Sequence, residues 1–397
     1  MQTRAINMSL SSNKKDVFLT MKRFSLRGRA AKTAPEQTKF YENFPFAVMS
    51  APEASWSGKT YSSMAKAGYA KNAVAYACIK QVASACSTVP VVLEDGNPLK
   101  SLLDAPNSGQ SMHEFFYSLY AHLMIAGNAY VLVHGDGESV PVSLQVLRPD
   151  LVTIKLDEYG AVMGYVYQRK LYRMNDKTRR SSILHVKQFN PLNELYGQSP
   201  LEAAMGHVDV FNSATEFNKS LLDNGARLTT ALKFQDTLSA EQRDTLRQQF
   251  LKAFTGAKNA GRPVFLEGGM DVQELGTSPK DMEFLETSSM AARLTALALG
   301  VPPFLIGLPG DNTFNNMKEA KLHFYENTVK PLVEHVLSEL NHYMKPFVNA
   351  SHSVGADWDR VDALSPLREA RWKRISEADF LTTAEKREML GFKPLSS

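Results

Sequence analysis

The chain has 397 residues, 44% of them hydrophobic, enough for two or three compact units with real cores, which excludes a disordered or fibrous polymer. Two cysteines, Cys78 and Cys86, exclude a disulfide framework and lack metal-site spacing, so a reducing compartment is expected. No apolar run approaches the ~18 residues of a bilayer span and no apolar signal core opens the chain, so the expectation is a soluble protein without a membrane partner.

The formal charge of +4 is unevenly placed. Residues 1–40 carry nine Lys and Arg against Asp16 and Glu36, or +7, which leaves −3 on the remainder. Such a basic arm can be a nucleic-acid tether or a disordered solubilising tail. Residues 41–70, rich in Ser, Ala, Gly, Lys and Pro, read as a linker.

A helix is predicted from Asn72, with Cys78 and Cys86 as small buried residues on one face, stopping before Pro90. "VPVVLED" reads as a strand. Ser111 and Glu114 form a capping box for a second helix that ends at Gly127. "NAYVLVHGDG", "SLQVLRP", "LVTIKLDEYGAVMGYVYQ" and "SSILHVKQF" then alternate apolar and polar residues between turn formers, as antiparallel strands do, with His134 and His185 as structural histidines.

After Gly197 the pattern changes to long helices. Ser199, Pro200 and Glu202 supply a cap, a first-turn proline and a capping carboxylate. Leu201, Ala204, Met205, Val208, Phe211, Ala214, Phe217 and Leu221 form an apolar stripe, with Asp209, Asn212, Glu216 and Lys219 opposite. A small α/β insertion follows: strand "TTALKF", a helix capped by Ser239 and Gln242, and strands "RPVFLEGG" and "MDVQELG". Ser278, Pro279 and Asp281 launch another helix through Phe284, Leu285, Ala291, Leu294, Leu297 and Leu299, ended by Gly300 and the pair Pro302–Pro303. "LPGDNTFNN" reads as a mobile loop. A third helix, Met317 to Met344, should be kinked at Pro331, and two shorter helices close the chain, the last boxed by Thr382 and Glu385. The fold class is α+β.

No phosphate loop, dinucleotide fingerprint, zinc motif or nucleophile elbow occurs, so neither a catalytic centre nor a cofactor is expected. Asp357, Asp359 and Asp362 are expected to solvate a helix entrance, not to hold a metal.

The order of "YACIKQVASACSTVPVVL", "LLDAPNSGQS", "GNAYVLV", "YGQSPLEAA", "FNKSLLDNGA", "LSAEQRDTLRQQFLKAFTGAKNAGRPVFLEGG", "ALGVPPFLIG" and "LTTAEKREMLGF" resembles the portal proteins of long-tailed bacteriophages, a family that gene transfer agents also use. The resemblance covers residues 70–394. It implies a portal fold: an α/β wing (71–198, with 317–354), a two-helix stem (199–225 and 279–300), a small α/β clip (226–278), a tunnel loop region (301–316) running into a long kinked tunnel helix, and a short helical crown (355–397). The crown is compact for the family, as in a smaller particle or a gene transfer agent. The basic first 40 residues match no family text, which leaves an interior scaffold contact, a DNA tether or disorder open for them.

The resemblance further implies a homo-oligomer, dodecameric in this family, at the portal vertex of the capsid. Double-stranded DNA passes through its channel, and its partners are the terminase motor, a head-to-tail adaptor and the major capsid protein. Leu308, Pro309, Gly310, Asp311, Asn312, Thr313, Phe314, Asn315 and Asn316 correspond to the tunnel loop. Lys318 and Lys321 are the candidates for phosphate contact, against the alternative of a solvated helix face with pairs such as Glu326–Lys330. In the clip, Gln242, Arg247 and Gln248 are exposed polar candidates for partner contact. The rival reading is a monomeric head-to-tail adaptor or minor capsid protein.

Overall fold

The computed structural model describes residues 60–392 apart from 95, 136–138, 176–177, 224–229, 234–238, 240, 243, 246–247, 249–270, 275–283, 309–313 and 349–352. The chain divides into two units after Ala54, and all described residues belong to the second, Ser55–Ser397. The basic arm, the "RPVFLEGG" strand and the Ser278–Pro279–Asp281 cap lie outside the described residues.

The described chain opens with α1 (Tyr61–Met64), capped by Thr60 and continued by a π-helical stretch, Ala65–Ala70. The last third of the expected linker, 61–70, is therefore helical, with Met64 buried and Gly68 close against Leu201. Helix α2 (Ala73–Ser87) begins where expected, its first turn capped by the Asn72 side chain. Strand β1 (Val91–Leu93) leads through a short α3 (Leu99–Asp104) to α4 (Met112–Ala126). The Ser111–Glu114 capping box is present, and α4 ends at Gly127 in the left-handed conformation (φ 67°).

Strands β2 (Asn128–His134), β3 (Ser143–Leu147) and β7 (Ile183–Lys187) form an antiparallel sheet in the order β3-β2-β7. A second antiparallel sheet holds β4 (Val152–Leu156), β5 (Val162–Tyr167) and β6 (Lys170–Arg173). The first sheet lies between two cores, and the alternation of its residues sorts them. Ala129, Val131 and Val133 enter the main core with α2 and α4, while Tyr130 and Leu132 enter a smaller one with Val152, Ile154, Tyr165 and Ile183. His185 is a structural histidine as expected: its ring stacks on Tyr130 at 4.3 Å, and its Nε2 lies 2.9 Å from Asn128 Oδ1.

Helix α5 (Pro200–Asp223) and helix α6 (Phe284–Ala298) pack against each other. Between them, β8 (Thr230–Lys233) and β9 (Asp271–Glu274) pair antiparallel, and Ser239 and Gln242 exchange the two bonds of a capping box. On α5 the stripe is buried at Leu201, Ala204, Met205, Val208 and Ala214, with Phe211 packed against the main core. Two expectations fail on these helices. Asn212 is buried, not solvated: its Nδ2 donates to Ala67 O and its Oδ1 accepts from Asn72, tying α5 to the π-helical stretch and to the start of α2. Leu297 is 72% exposed, because α6 turns Ala291, Ala292, Thr295 and Ala296 inward, and small residues permit close helix packing.

The last helical run comprises α7 (Phe314–Phe324), a π-helical stretch Tyr325–Val329, and α8 (Lys330–Met344) with Pro331 in its first turn. The expected interruption thus occurs in the turn before the proline, where the missing N–H and the ring break the regular ladder. Strand β10 (Val354–Ala356) pairs with β1, Asp357 caps the next turn by accepting from Asp359 N and Arg360 N, and α9 (Ser365–Ser376) and α10 (Thr383–Met389) finish the described chain. Among the described residues no group of three metal-ligating side chains is assembled, and no helix is long and apolar enough to cross a membrane.

Candidate functional site

The segment between α6 and α7 is a rigid shelf followed by a short connection. Gly300 adopts φ 70° at the end of α6, and Val301 N donates to Ala296 O at 2.9 Å, turning the chain inward. Pro303–Ile306 then forms a 3₁₀ turn, closed by Leu308 N to Pro303 O at 3.1 Å. Leu305, Ile306 and Leu308 pack against the main core. Leu308 is therefore shelf and not loop: the paired prolines fix the backbone, and burying its side chain holds it there.

The shelf is tied to the π-helical stretch by one side chain. Thr328 Oγ1 donates to Gly300 O at 2.6 Å, and a Cβ at residue 300 would stand 2.9 Å from that oxygen. Phe324 and Val329, on either side of this contact, are fully buried. The helical interruption thus seats Thr328 against the end of α6. Sequence patterning missed Thr328, since a threonine three residues before a proline carries no distinctive signal.

Pro309, Gly310, Asp311, Asn312 and Thr313 lie outside the described residues. Phe314, Asn315 and Asn316 do not belong to a loop: α7 begins at Phe314, three residues before the expected start. The physical reason is local, as Asp311, Asn312 and Thr313 are N-cap residue types and a first turn tolerates asparagine. Lys318 and Lys321 are exposed and one helical turn apart, Lys318 near the middle of α7 and Lys321 in its last turn. The alternative pair Glu326–Lys330 does not form among the described residues. Lys330 lies instead over the Trp358 ring, 5.9 Å from its centroid.

A second structured element fixes α5 to the sheet. Asn128 Oδ1 accepts from Gly197 N at 2.7 Å, and its Nδ2 donates to Gly197 O at 3.1 Å and Ala126 O at 2.8 Å. Ser199 Oγ donates to Ile125 O at 2.7 Å and accepts from Glu202 N at 3.0 Å, so one hydroxyl caps α5 and binds the end of α4. Gln188 N donates to Gly127 O at 2.8 Å. The Ser199 cap was readable in the sequence; the role of Asn128 was not, because its partner is 69 residues away.

Of the exposed polar candidates in the insertion, Gln242 and Gln248 are exposed, and the Arg247 side chain lies outside the described residues.

Comparison with known proteins identifies the family. An uncharacterised protein of Rickettsia bellii is 37% identical over 338 residues, covering 81% of this chain and 87% of that protein. A Rickettsia felis protein is 36% identical over 342 residues, covering 82% and 88%. Among solved structures, a chain from the neck of a native gene transfer agent particle, computed with C12 symmetry, is 38% identical with a TM-score of 0.67, covering 85% of this chain and 95% of that one. The crystal structure of an HK97-family phage portal protein from Corynebacterium diphtheriae shares the fold at 14% identity and a TM-score of 0.58, covering 79% and 98%. The family model described as phage portal protein matches residues 73–391, and the chain belongs to that family.

Proposed function

We propose that twelve copies of this chain form a ring at one vertex of a phage-like capsid, and that double-stranded DNA passes through its axial channel during packaging and ejection. The observation that carries this reading is the 38% identity, over 85% of the chain, to a component of a particle neck computed with C12 symmetry. The role is structural, with no catalytic step assigned to the chain. In this reading α5 and α6 are the stem, the insertion between them is the clip that meets the terminase motor and later a head-to-tail adaptor, the sheets with α2, α4 and α8 are the wing, and α9 with α10 is the crown. The wing side contacts the major capsid protein.

The connection at 309–313 and α7 are the DNA-facing part. A conduit must neutralise some phosphate charge without reading bases or gripping the duplex. Lys318 and Lys321 meet that need, being two exposed ammonium groups on flexible stems one helical turn apart on α7. The net −3 on the chain beyond residue 40 keeps the rest of the wall weakly repulsive.

The test is the mass and symmetry of the purified full chain by native mass measurement and negative-stain class averaging. Rings of about twelve copies with a central hole are expected. A chain that stays monomeric even when supplied with capsid and scaffold proteins overturns the reading and leaves the monomeric adaptor.

A further inference from the structure

The two C-terminal helices are thinly buried. Of all residues in α9 and α10, Ile375 alone is buried, while Leu367, Trp372, Met389 and, just beyond α10, Phe392 are 41–47% exposed. Apolar surface left this open on a small helical unit marks a contact site. The unit nevertheless holds its own shape. Arg371 donates to Met389 O at 2.6 Å and Lys386 to Ser376 O at 2.8 Å, and the Thr382–Glu385 capping box fixes the start of α10.

Two features of this unit are complementary. One is a cleft of about 470 Å³ lined by Trp372, Leu390 and Phe392 together with Gly391 and the charged Asp359, Arg368 and Glu369. Gly391, at φ 81°, folds Phe392 back so that its ring meets Trp372 at 6.0 Å and the Arg387 guanidinium at 5.6 Å. The other is Phe380, 87% exposed in the link between the helices, where Leu381 N bonds Ala378 O and the capped α10 follows. An apolar cavity of about 150 Å³ already accommodates a benzene ring, so the cleft has room for a phenyl side chain.

A closed ring of identical chains is built from heterologous contacts, in which each copy offers two different surfaces, one to each neighbour. We propose that Phe380 of one copy seats in the Trp372–Phe392 cleft of the next, so that the C-terminal helical pairs form a continuous collar. This rests on the ring reading above. The occupant is a second copy, because the relative of known structure sits in a neck computed with C12 symmetry and this chain carries both a protruding ring and an apolar cleft on the same unit. The phenyl ring carries no charge, so the contact should persist at high salt.

The experiment uses the full chain carrying Phe380→Cys together with Leu390→Cys. Its native cysteines stay silent: Cys78 and Cys86 are buried, and burial pushes the Cys78 thiol up to about 12. Mild oxidation should give a ladder of covalent oligomers ending in a closed ring, while either single variant gives none. Monomeric product from preparations whose micrographs contain rings overturns the collar and leaves the ring standing. Absence of both rings and ladder removes the ring reading and the collar with it. As a second readout, Phe380→Ser should raise the concentration at which rings dissociate by about tenfold or more, a change that a residue free of contacts would not produce.

Discussion

At Gly127 and Gly197 the backbones of two elements press directly on each other, whereas at Gly300 the nearest neighbour is a threonine side chain. A Cβ on Gly197 would stand 2.2 Å from Gly127 O and 2.7 Å from Gln188 N, and one on Gly127 would stand 2.3 Å from the Gln198 carbonyl carbon. Around them Asn128, Ser199 and Gln188 form a closed set of hydrogen bonds. The Gly300 joint has one hydroxyl bond, from Thr328. The first joint locks the long α5 to the sheet through backbone contact and several hydrogen bonds; the second holds the shelf through a single side-chain bond.

The largest expected effect is at the locked joint. Gly197→Ala must push apart backbone that has no flexible end to yield, so a loss of ~3 kcal/mol or more is expected, enough to unfold a marginal domain. Urea unfolding followed by circular dichroism measures it. A loss below ~1 kcal/mol would mean that this junction is soft and that the contrast with Gly300 is false.

Acid should weaken the same side of the molecule. Burial lowers His185 to about 3 and His122 to about 4; Lys187 adds to the first shift, while Asp150 and Arg148 act in opposite directions on the second. His122 Nδ1 lies 3.1 Å from the Tyr61 hydroxyl, and His185 faces Asn128 in the joint itself. Both histidines stay neutral in the folded chain, while in the unfolded chain they bind a proton below about pH 6.5. The unfolded state therefore holds more protons over that window, and stability falls as pH drops from about 6.5 toward 4, by up to about 1.4 kcal/mol per pH unit for each histidine. Urea midpoints across that range should fall, and His185→Gln, which cannot titrate, should flatten the slope. A midpoint constant down to about pH 5 would contradict the enclosure of both rings.

Thr328→Val tests the lighter joint. The swap keeps the shape and removes the hydroxyl from Gly300 O, so a loss of about 1 kcal/mol is expected, well below that of Gly197→Ala. Hydrogen exchange at Val301 and Leu308 should accelerate more than exchange in β2. Equal acceleration in both places would show that the shelf is not separately held.

What the sequence disclosed follows from distance along the chain. The boxes Ser111–Glu114 and Thr382–Glu385 and the Ser199 cap join residues three apart, so residue type and spacing suffice to read them. The alternation of β2 was equally readable, although burial on both faces was not, because Tyr130 and Leu132 find their core only when the second sheet is in place. Asn212 and Asn128 were opaque for the same reason. A polar residue on a helix or after a glycine reads as solvated until its distant partners, Asn72 and Gly197, are known. Leu297 failed in the opposite sense, since an apolar residue at helical spacing reads as core even where alanines and Thr295 make the contact. The ends of the candidate site shifted because prolines mark where a helix stops but say nothing of whether the chain beyond them packs.

The smallest stability effect and the most specific functional one belong to the two lysines. Both are exposed, so Lys318→Glu with Lys321→Glu should move stability by no more than ~0.5 kcal/mol. Rings should still form, because neither residue belongs to the joints or to the proposed collar. If these ammonium groups meet phosphate, the double reversal replaces two attractions with two repulsions in the channel, and the DNA retained per particle should fall while particle number stays constant. The competing account, a solvated helix face, predicts full particles. Quantifying packaged DNA per particle at low and moderate salt separates the two, since a phosphate contact weakens as salt rises and the gap between variant and parent should close with it. Unchanged packaging at both salt concentrations would move the DNA-facing role away from α7, leaving the connection before it as the remaining candidate.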